Sequence, residues 1–148
     1  MKVYISGRIG EEVISDETRQ RFAKAEEMLK AKGYETFNPA DEQVQYWLDE
    51  MYESAKEMDE TLDRYTYYLM KVMIKLAKCE TIYMQENWRR SPGATAEYHF
   101  AVATKKTILF QSLGQAKSYL YEMYDTCPEG NEYNEWICAK AKAICLPL

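Results

Sequence analysis

Four short runs rich in β-branched and aromatic residues, Val3–Ser6, Tyr34–Asn38, Thr81–Gln85 and Thr107–Gln111, are separated by stretches with helical spacing. No other feature of the chain constrains its fold as much. Strands that alternate with helices pair in parallel, and the connecting helices cover both faces of the sheet. The pattern predicts a single Rossmann-like (flavodoxin-like) α/β domain. It would have a parallel sheet of about four to five strands flanked by helices, a helical insertion between strands 2 and 3, and a helical C-terminal tail. Phe22, Ala25, Met28 and Leu29 form the apolar face of the first helix, which is expected to open near Ser15 or Asp16 and to close at Gly33.

The segment from Asp41 to Lys78 keeps a helical period throughout, first through Val44, Trp47, Leu48 and Met51, then through Leu62, Tyr65, Leu69, Met73 and Leu76. As one helix it would run to roughly 57 Å, far beyond the radius of gyration of about 15 Å for a domain of this length. A break is therefore expected in the acidic run Glu57–Glu60. After strand four come a helix around Gly114 to Tyr124, a turn at Cys127–Gly130 and an amphipathic stretch from Tyr133 to Ile144. On this reading residues 1–126 form the α/β domain, with its insertion at about 41–70, and residues 127–148 a helical extension.

A chain of 148 residues that is 47% hydrophobic supports one core. The formal charge of -5 argues against a nucleic-acid partner, which calls for a clustered basic surface. A small anion needs only a few aimed amides at a helix start. Met1–Ser6 reads as a strand and not as a leader, so no membrane association and a cytoplasmic location are expected. The four cysteines contain no CxxC pair and only one histidine accompanies them, so no metal site is expected and the thiols read as reduced.

Two loops carry the candidate chemistry. After strand three, Ser91 reads as an N-cap and Pro92 as the first helical residue, which places Glu97 in the second turn. That is too deep for a capping-box acid, which would sit at Ala94. Glu97 is then either an ordinary solvated helical glutamate or a group that faces a ligand. Strand one runs into Ser6-Gly7-Arg8-Ile9-Gly10, where glycines allow close backbone approach; the alternative is a plain strand-to-helix turn. If strand three lies beside strand one, both loops meet over one end of the sheet, and their amides suit a phosphate. Glu97 would then face the adjoining sugar, where a carboxylate is a nucleophile or electrostatic partner for an anomeric carbon. His99, about 200° round the helix from Glu97, is expected to face away. Arg89 and Arg90 are candidates for anion contact, whereas most of the thirteen tyrosines read as core or subunit interface.

Several ordered blocks carry a resemblance. They are Tyr4-Ile5-Ser6-Gly7 with Ile9-Gly10; Phe22, Leu29, Gly33-Tyr34 and Asn38-Pro39; Cys79 to Met84; and Trp88, Ser91 to Ala94, Glu97 and Ala101. Over about residues 2 to 112 the chain resembles the DUF4406 branch of the nucleoside 2-deoxyribosyltransferase-like superfamily. The resemblance implies a Rossmann-like fold, a homo-oligomer, no cofactor, and a small-molecule nucleoside or nucleotide cleaved or transferred at its base–(deoxy)ribose bond. It makes Glu97 the nucleophile, with Tyr4 positioning it. It implies that the loop from Gly7 to Gly10 lies against the substrate and that Ser91 contacts a phosphate, and the expected substrate- and phosphate-binding residues are Ser6, Gly7, Arg8, Ile9, Gly10, Trp88, Ser91 and Gly93. A serine at position 91 implies a 5′-monophosphate, since relatives acting on free nucleosides carry aspartate there.

Two departures accompany it. The helix before strand three in related proteins carries an aspartate whose position falls here on Val72, and strand three opens Cys79-Glu80 instead of Cys-Asp. Loss of a general acid is worth roughly 10²–10⁴-fold. Glu80, Glu86, Asp41 and Glu11 are the candidate substitutes. The expected function is an N-glycosidase or deoxyribosyltransferase-like protein. The alternatives are a catalytically impaired nucleotide-binding module and an oligomeric interaction protein of the same fold.

Overall fold

The structure, a computed structural model, describes residues 1–9, 13–124 and 131–148. In chain order these form β1 (Lys2–Ser6), α1 (Asp16–Ala31), β2 (Glu35–Phe37), α2 (Glu42–Met58), α3 (Arg64–Ala77) and β3 (Thr81–Met84). A single 3-10 turn (Trp88–Arg90), α4 (Pro92–Ala103), β4 (Thr107–Phe110), α5 (Leu113–Met123) and α6 (Asn131–Ile144) complete the fold. The sheet has four parallel strands in the order β2-β1-β3-β4, as the alternation predicts for a Rossmann-like fold. The expected turn at Cys127–Gly130 lies outside the described residues.

Local chemistry sets the element ends. Ser15, Asp41, Asp63, Ser91 and Ser112 each cap a helix by accepting an amide N–H with the side chain, which satisfies a donor the helix itself leaves free. Gly33, with φ of 89°, takes the left-handed conformation that ends α1. The long helical segment does break: α2 stops at Met58, Asp59 caps its end, and Asp63 opens α3.

Strand alternation divides the core. Val3 and Ile5 of β1, Tyr83 of β3 and Leu109 of β4 face α1, where Phe22, Ala25 and Leu29 pack. Tyr4, Ile82, Met84, Ile108 and Phe110 face the other way, towards the buried sides of α2 to α6. The tail closes the β4 edge. Cys145 bridges to Phe110, the Leu146 N–H donates to Phe110 O at 2.8 Å, and the Tyr83 hydroxyl donates to Leu146 O at 2.6 Å. Among the described residues no helix is long and apolar enough to cross a membrane.

Candidate functional site

β1 connects to β2 on one side and lies against β3 on the other, so the strand order reverses between β1 and β3. In open α/β sheets the crevice at the carboxyl ends of such a strand pair is where ligands bind. Ser6 is paired with Met84 there, and the Gln85 N–H donates to Ser6 O at 2.9 Å.

Tyr4 and Ser6 are two residues apart on β1 and therefore share the face that meets α4. Across from them stands Glu97. The Ser6 hydroxyl donates to Glu97 Oε1 at 3.0 Å, and the Tyr4 hydroxyl is hydrogen-bonded to the same carboxyl. Glu97 is only 6% exposed, so it is not a solvated helical glutamate. Burial disfavours its charged form and pushes its pKa up to about 7, with the Tyr4 and Ser6 hydrogen bonds pulling the other way. The Tyr4 phenol is held well above its ordinary value, by burial first and then by Glu97, so it stays a neutral donor. A buried carboxyl poised near neutrality at a sheet switch point is a signature of acid, base or nucleophile chemistry.

The surrounding loops have definite supports. Gly7 follows β1 closely packed on a side chain: a Cβ there would lie 2.4 Å from Gln85 Nε2 and 3.0 Å from its Cδ, so a larger residue would have to displace the Gln85 carboxamide. The Arg8 N–H donates to Asn87 Oδ1 at 3.3 Å, which ties the first loop to the turn after β3. Ile9 is half-buried against the α1 side of the core, and Gly10 lies outside the described residues. Ser91 Oγ accepts the Ala94 N–H at 3.2 Å. Gly93 precedes Glu97 by four residues, so the two share a helix face about 6 Å apart along the axis. A Cβ on Gly93 would come within 3.2 Å of the Tyr65 hydroxyl, which therefore overhangs the start of α4.

Trp88 is a post that holds its loop. Its ring packs against Tyr98 in a tilted arrangement with centroids 4.5 Å apart, and its Nε1–H donates to Gln115 Oε1 at 3.1 Å, while Gln115 Nε2 donates to Glu86 O at 2.8 Å. Arg89 lies over the Trp88 ring, and Arg90 and His99 are exposed. An open groove of about 460 Å³ lined by Arg19, Glu42, Gln43, Gln45, Tyr46 and Asp49 shares no residue with this constellation.

Val72 is buried in the same apolar cluster as Tyr4, Leu76 and Ala94, so the α3 position flanking the site is a hydrophobic wall. Of the candidate replacement acids, none that the structure describes hydrogen-bonds to Glu97. Glu80 accepts the Lys2 N–H at the opposite end of the sheet, Asp41 caps α2, Glu86 is exposed, and Glu11 lies outside the described residues. Among the described residues only Tyr4 and Ser6 act on Glu97 through hydrogen bonds, and no second carboxylate of theirs contributes to its shift. Among the described residues no group of three His, Cys, Asp or Glu side chains is placed to hold a metal ion.

A family model described as a domain of unknown function, DUF4406, matches residues 1–110. The chain belongs to the DUF4406 family. No curated protein and no solved structure matches it. The DUF4406 segment takes in all four strands and both loops of the crevice, whereas α5 and α6 lie beyond it. Even so, α5 supplies Gln115, which fastens the Trp88 turn. Sequence reasoning missed two DUF4406 residues at this site, Gln85 and Tyr65. Gln85 read as the last residue of strand three, and Tyr65 belonged to a tyrosine cluster read as core or interface; only the side of the sheet and the approach of Gly93 reveal them.

Proposed function

We propose that this chain is an N-glycosidase or deoxyribosyltransferase of the nucleoside 2-deoxyribosyltransferase-like superfamily. It acts at the bond between a base and a (deoxy)ribose and favours a nucleoside 5′-monophosphate. One observation carries the reading: a buried carboxyl, Glu97, stands at the sheet switch point with two hydroxyl donors, Tyr4 and Ser6, aimed at it.

In the reaction the ionised Glu97 attacks C1′. The C1′–N bond breaks, its electron pair leaves with the base, and the base takes up a proton. The resulting ester between Glu97 and the sugar is opened by water in hydrolysis, or by a nitrogen of a second base in transfer, and the carboxylate is restored. The Tyr4 and Ser6 donors favour the ionised form and fix its direction. One turn nearer the helix start, on the same face, the Gly93 amide and the Ser91 hydroxyl suit the 5′-phosphate, at the positive end of α4. Ser6 to Ile9 complete the cradle, and the chemistry needs no cofactor. Met70 and Ile74, exposed one turn apart on α3, support a homo-oligomeric assembly.

A second reading, a nucleotide-binding module without turnover, is favoured by Val72, whose burial in an apolar cluster leaves Glu97 with no acidic partner among the described residues. Base release from a panel of nucleosides and nucleoside 5′-monophosphates separates the two. The enzyme reading expects release that disappears in Glu97→Ala. Thermal stabilisation by nucleotide without release identifies the binding module, and release undiminished in Glu97→Ala removes Glu97 from the chemistry.

A further inference from the structure

Along α3 one stripe, Tyr65, Leu69, Val72 and Leu76, recurs at the three- and four-residue spacing of a single helix face. Val72 and Leu76 are buried in the apolar cluster with Tyr4 and Ala94, and Leu69 packs against it. Tyr65 heads the stripe and is 56% exposed. On the α4 side of the same seam, Gly93 is half-buried and Glu97, one turn deeper, is buried. Solvent therefore meets the seam at its Tyr65 and Gly93 end.

Hydrogen-bond donors from both helices meet there. A Cβ on Gly93 would stand 3.2 Å from the Tyr65 hydroxyl, 3.8 Å from Ser91 Oγ and 3.9 Å from Leu69 Cδ1, so the two hydroxyls approach one point. Ser91 is 7% exposed; its Oγ accepts the Ala94 N–H, and a hydroxyl that accepts still has its proton to give. The Gly93 N–H is a first-turn amide for which α4 has no carbonyl, and Pro92 before it carries no N–H. The polar neighbours on α3 are committed elsewhere. Asp63 accepts the Tyr65 and Thr66 N–H groups, and Arg64 donates to Asp49 at 2.6 Å with its guanidinium over the Tyr68 ring.

We propose that Tyr65 is a specificity-determining residue for the 5′-phosphate: its hydroxyl donates to one terminal oxygen while the Gly93 N–H and the Ser91 O–H donate to the others. This rests on the nucleotide reading above and adds to it a contact from a second helix. A phosphate monoester presents three terminal oxygens, one for each donor. Hydrogen bonds to an ionised oxygen are about twice as strong as neutral ones, so the same hydroxyl favours the phosphate over the 5′-hydroxyl of a free nucleoside. Gly93 belongs to the device, because a side chain there takes the space into which the Tyr65 hydroxyl projects.

Calorimetric titration of wild type, Tyr65→Phe, Gly93→Ala and the double variant tests the assignment. The probes are the four ribo- and four deoxyribonucleosides and their 5′-monophosphates. Tyr65→Phe keeps the ring and removes one exposed hydroxyl, so the melting temperature of the free protein should hold. Its affinity for the monophosphates should fall about tenfold or more, the scale of one hydrogen bond to a charged group, with affinity for the nucleosides nearly unchanged. Gly93→Ala pushes the hydroxyl aside and should also weaken the monophosphates, but less once Tyr65→Phe has removed what it displaces. Unchanged monophosphate affinity in Tyr65→Phe, equal losses for nucleosides and monophosphates, or losses that multiply in full in the double variant overturn the assignment and leave the proposed glycosidic chemistry standing. Wild type that binds nucleosides as tightly as their monophosphates overturns the assignment together with the phosphate preference. A wild-type chain that binds none of the probes overturns the proposed function as well.

Discussion

Replacing Glu97 by glutamine should change how stability depends on pH, because burial raises the Glu97 pKa. The Glu97 pKa is about 7 in the folded chain against 4.5 for an ordinary glutamate. Below the lower value the group is protonated in both states and contributes no difference. Between the two, the unfolded chain has lost its proton while the folded chain keeps one, so stability falls as pH rises, and it levels off once the folded pKa is passed. The separation of about 2.5 units corresponds to roughly 3 kcal/mol, the cost of carrying a buried carboxylate at high pH. Glu97→Gln has no proton to lose. Any constant cost of the extra amide hydrogens is the same at every pH, and the other titrating groups cancel in the comparison. Denaturant unfolding of both proteins from pH 4.5 to 8.5 should therefore show the variant gaining roughly 3 kcal/mol on the wild type across that range, or about 6–12 °C in melting temperature. The gain should come together with loss of base release, as expected where function is held at the expense of stability. A stability difference that stays flat with pH would show that Glu97 titrates as an exposed carboxyl, and would refute the assignment of a burial-raised group.

Further outcomes follow from the same geometry. Tyr4→Phe removes a donor that favours the ionised form of Glu97, so the acidic limb of the pH–rate profile should move to higher pH, and activity at pH 7 should fall; an unmoved limb would contradict the hydrogen bond. Ser91→Asp keeps a good N-cap, so stability should stay within about 0.5 kcal/mol, while the new charge should weaken nucleoside 5′-monophosphates and spare free nucleosides; parallel losses for both would remove the phosphate from α4. Val72→Asp puts a carboxyl into the apolar cluster that also holds Tyr4 and should cost about 2 kcal/mol or more in a denaturant titration. It should also raise base release about tenfold or more where proton supply limits the reaction, and release that does not rise would show that proton supply is not the limit.

The fold was legible because its determinants are local. Each strand run is a cluster of β-branched and aromatic residues, and the break between α2 and α3 followed from length alone, since a helix of 17 residues fits a domain of this size and one of twice the length does not. The errors are at strand ends. Tyr34, Asn38, Gln85 and Gln111 read as strand but lie just outside, and Asn38 instead folds its side chain back to accept the Ala40 N–H at 2.9 Å. At the site, Glu97 stood out because it follows a capped helix start by a turn, and Ser6 because it precedes a glycine. Their contact joins residues 91 positions apart, and it depends on strand register, which periodicity does not encode. The same limit concealed Gln85 beneath Gly7 and Tyr65 above Gly93. A glycine in the sequence marks a close approach without naming what approaches.

The central claim, that Glu97 is the nucleophile, is tested most directly by rapid-quench mass spectrometry of the wild-type chain mixed with a nucleoside 5′-monophosphate that it cleaves. The account predicts a peptide containing Glu97 that is heavier by one (deoxy)ribose 5-phosphate unit, appearing as base is released and absent from Glu97→Gln. Release of base with no sugar on Glu97 at any quench time, or with the sugar on another residue, would contradict it.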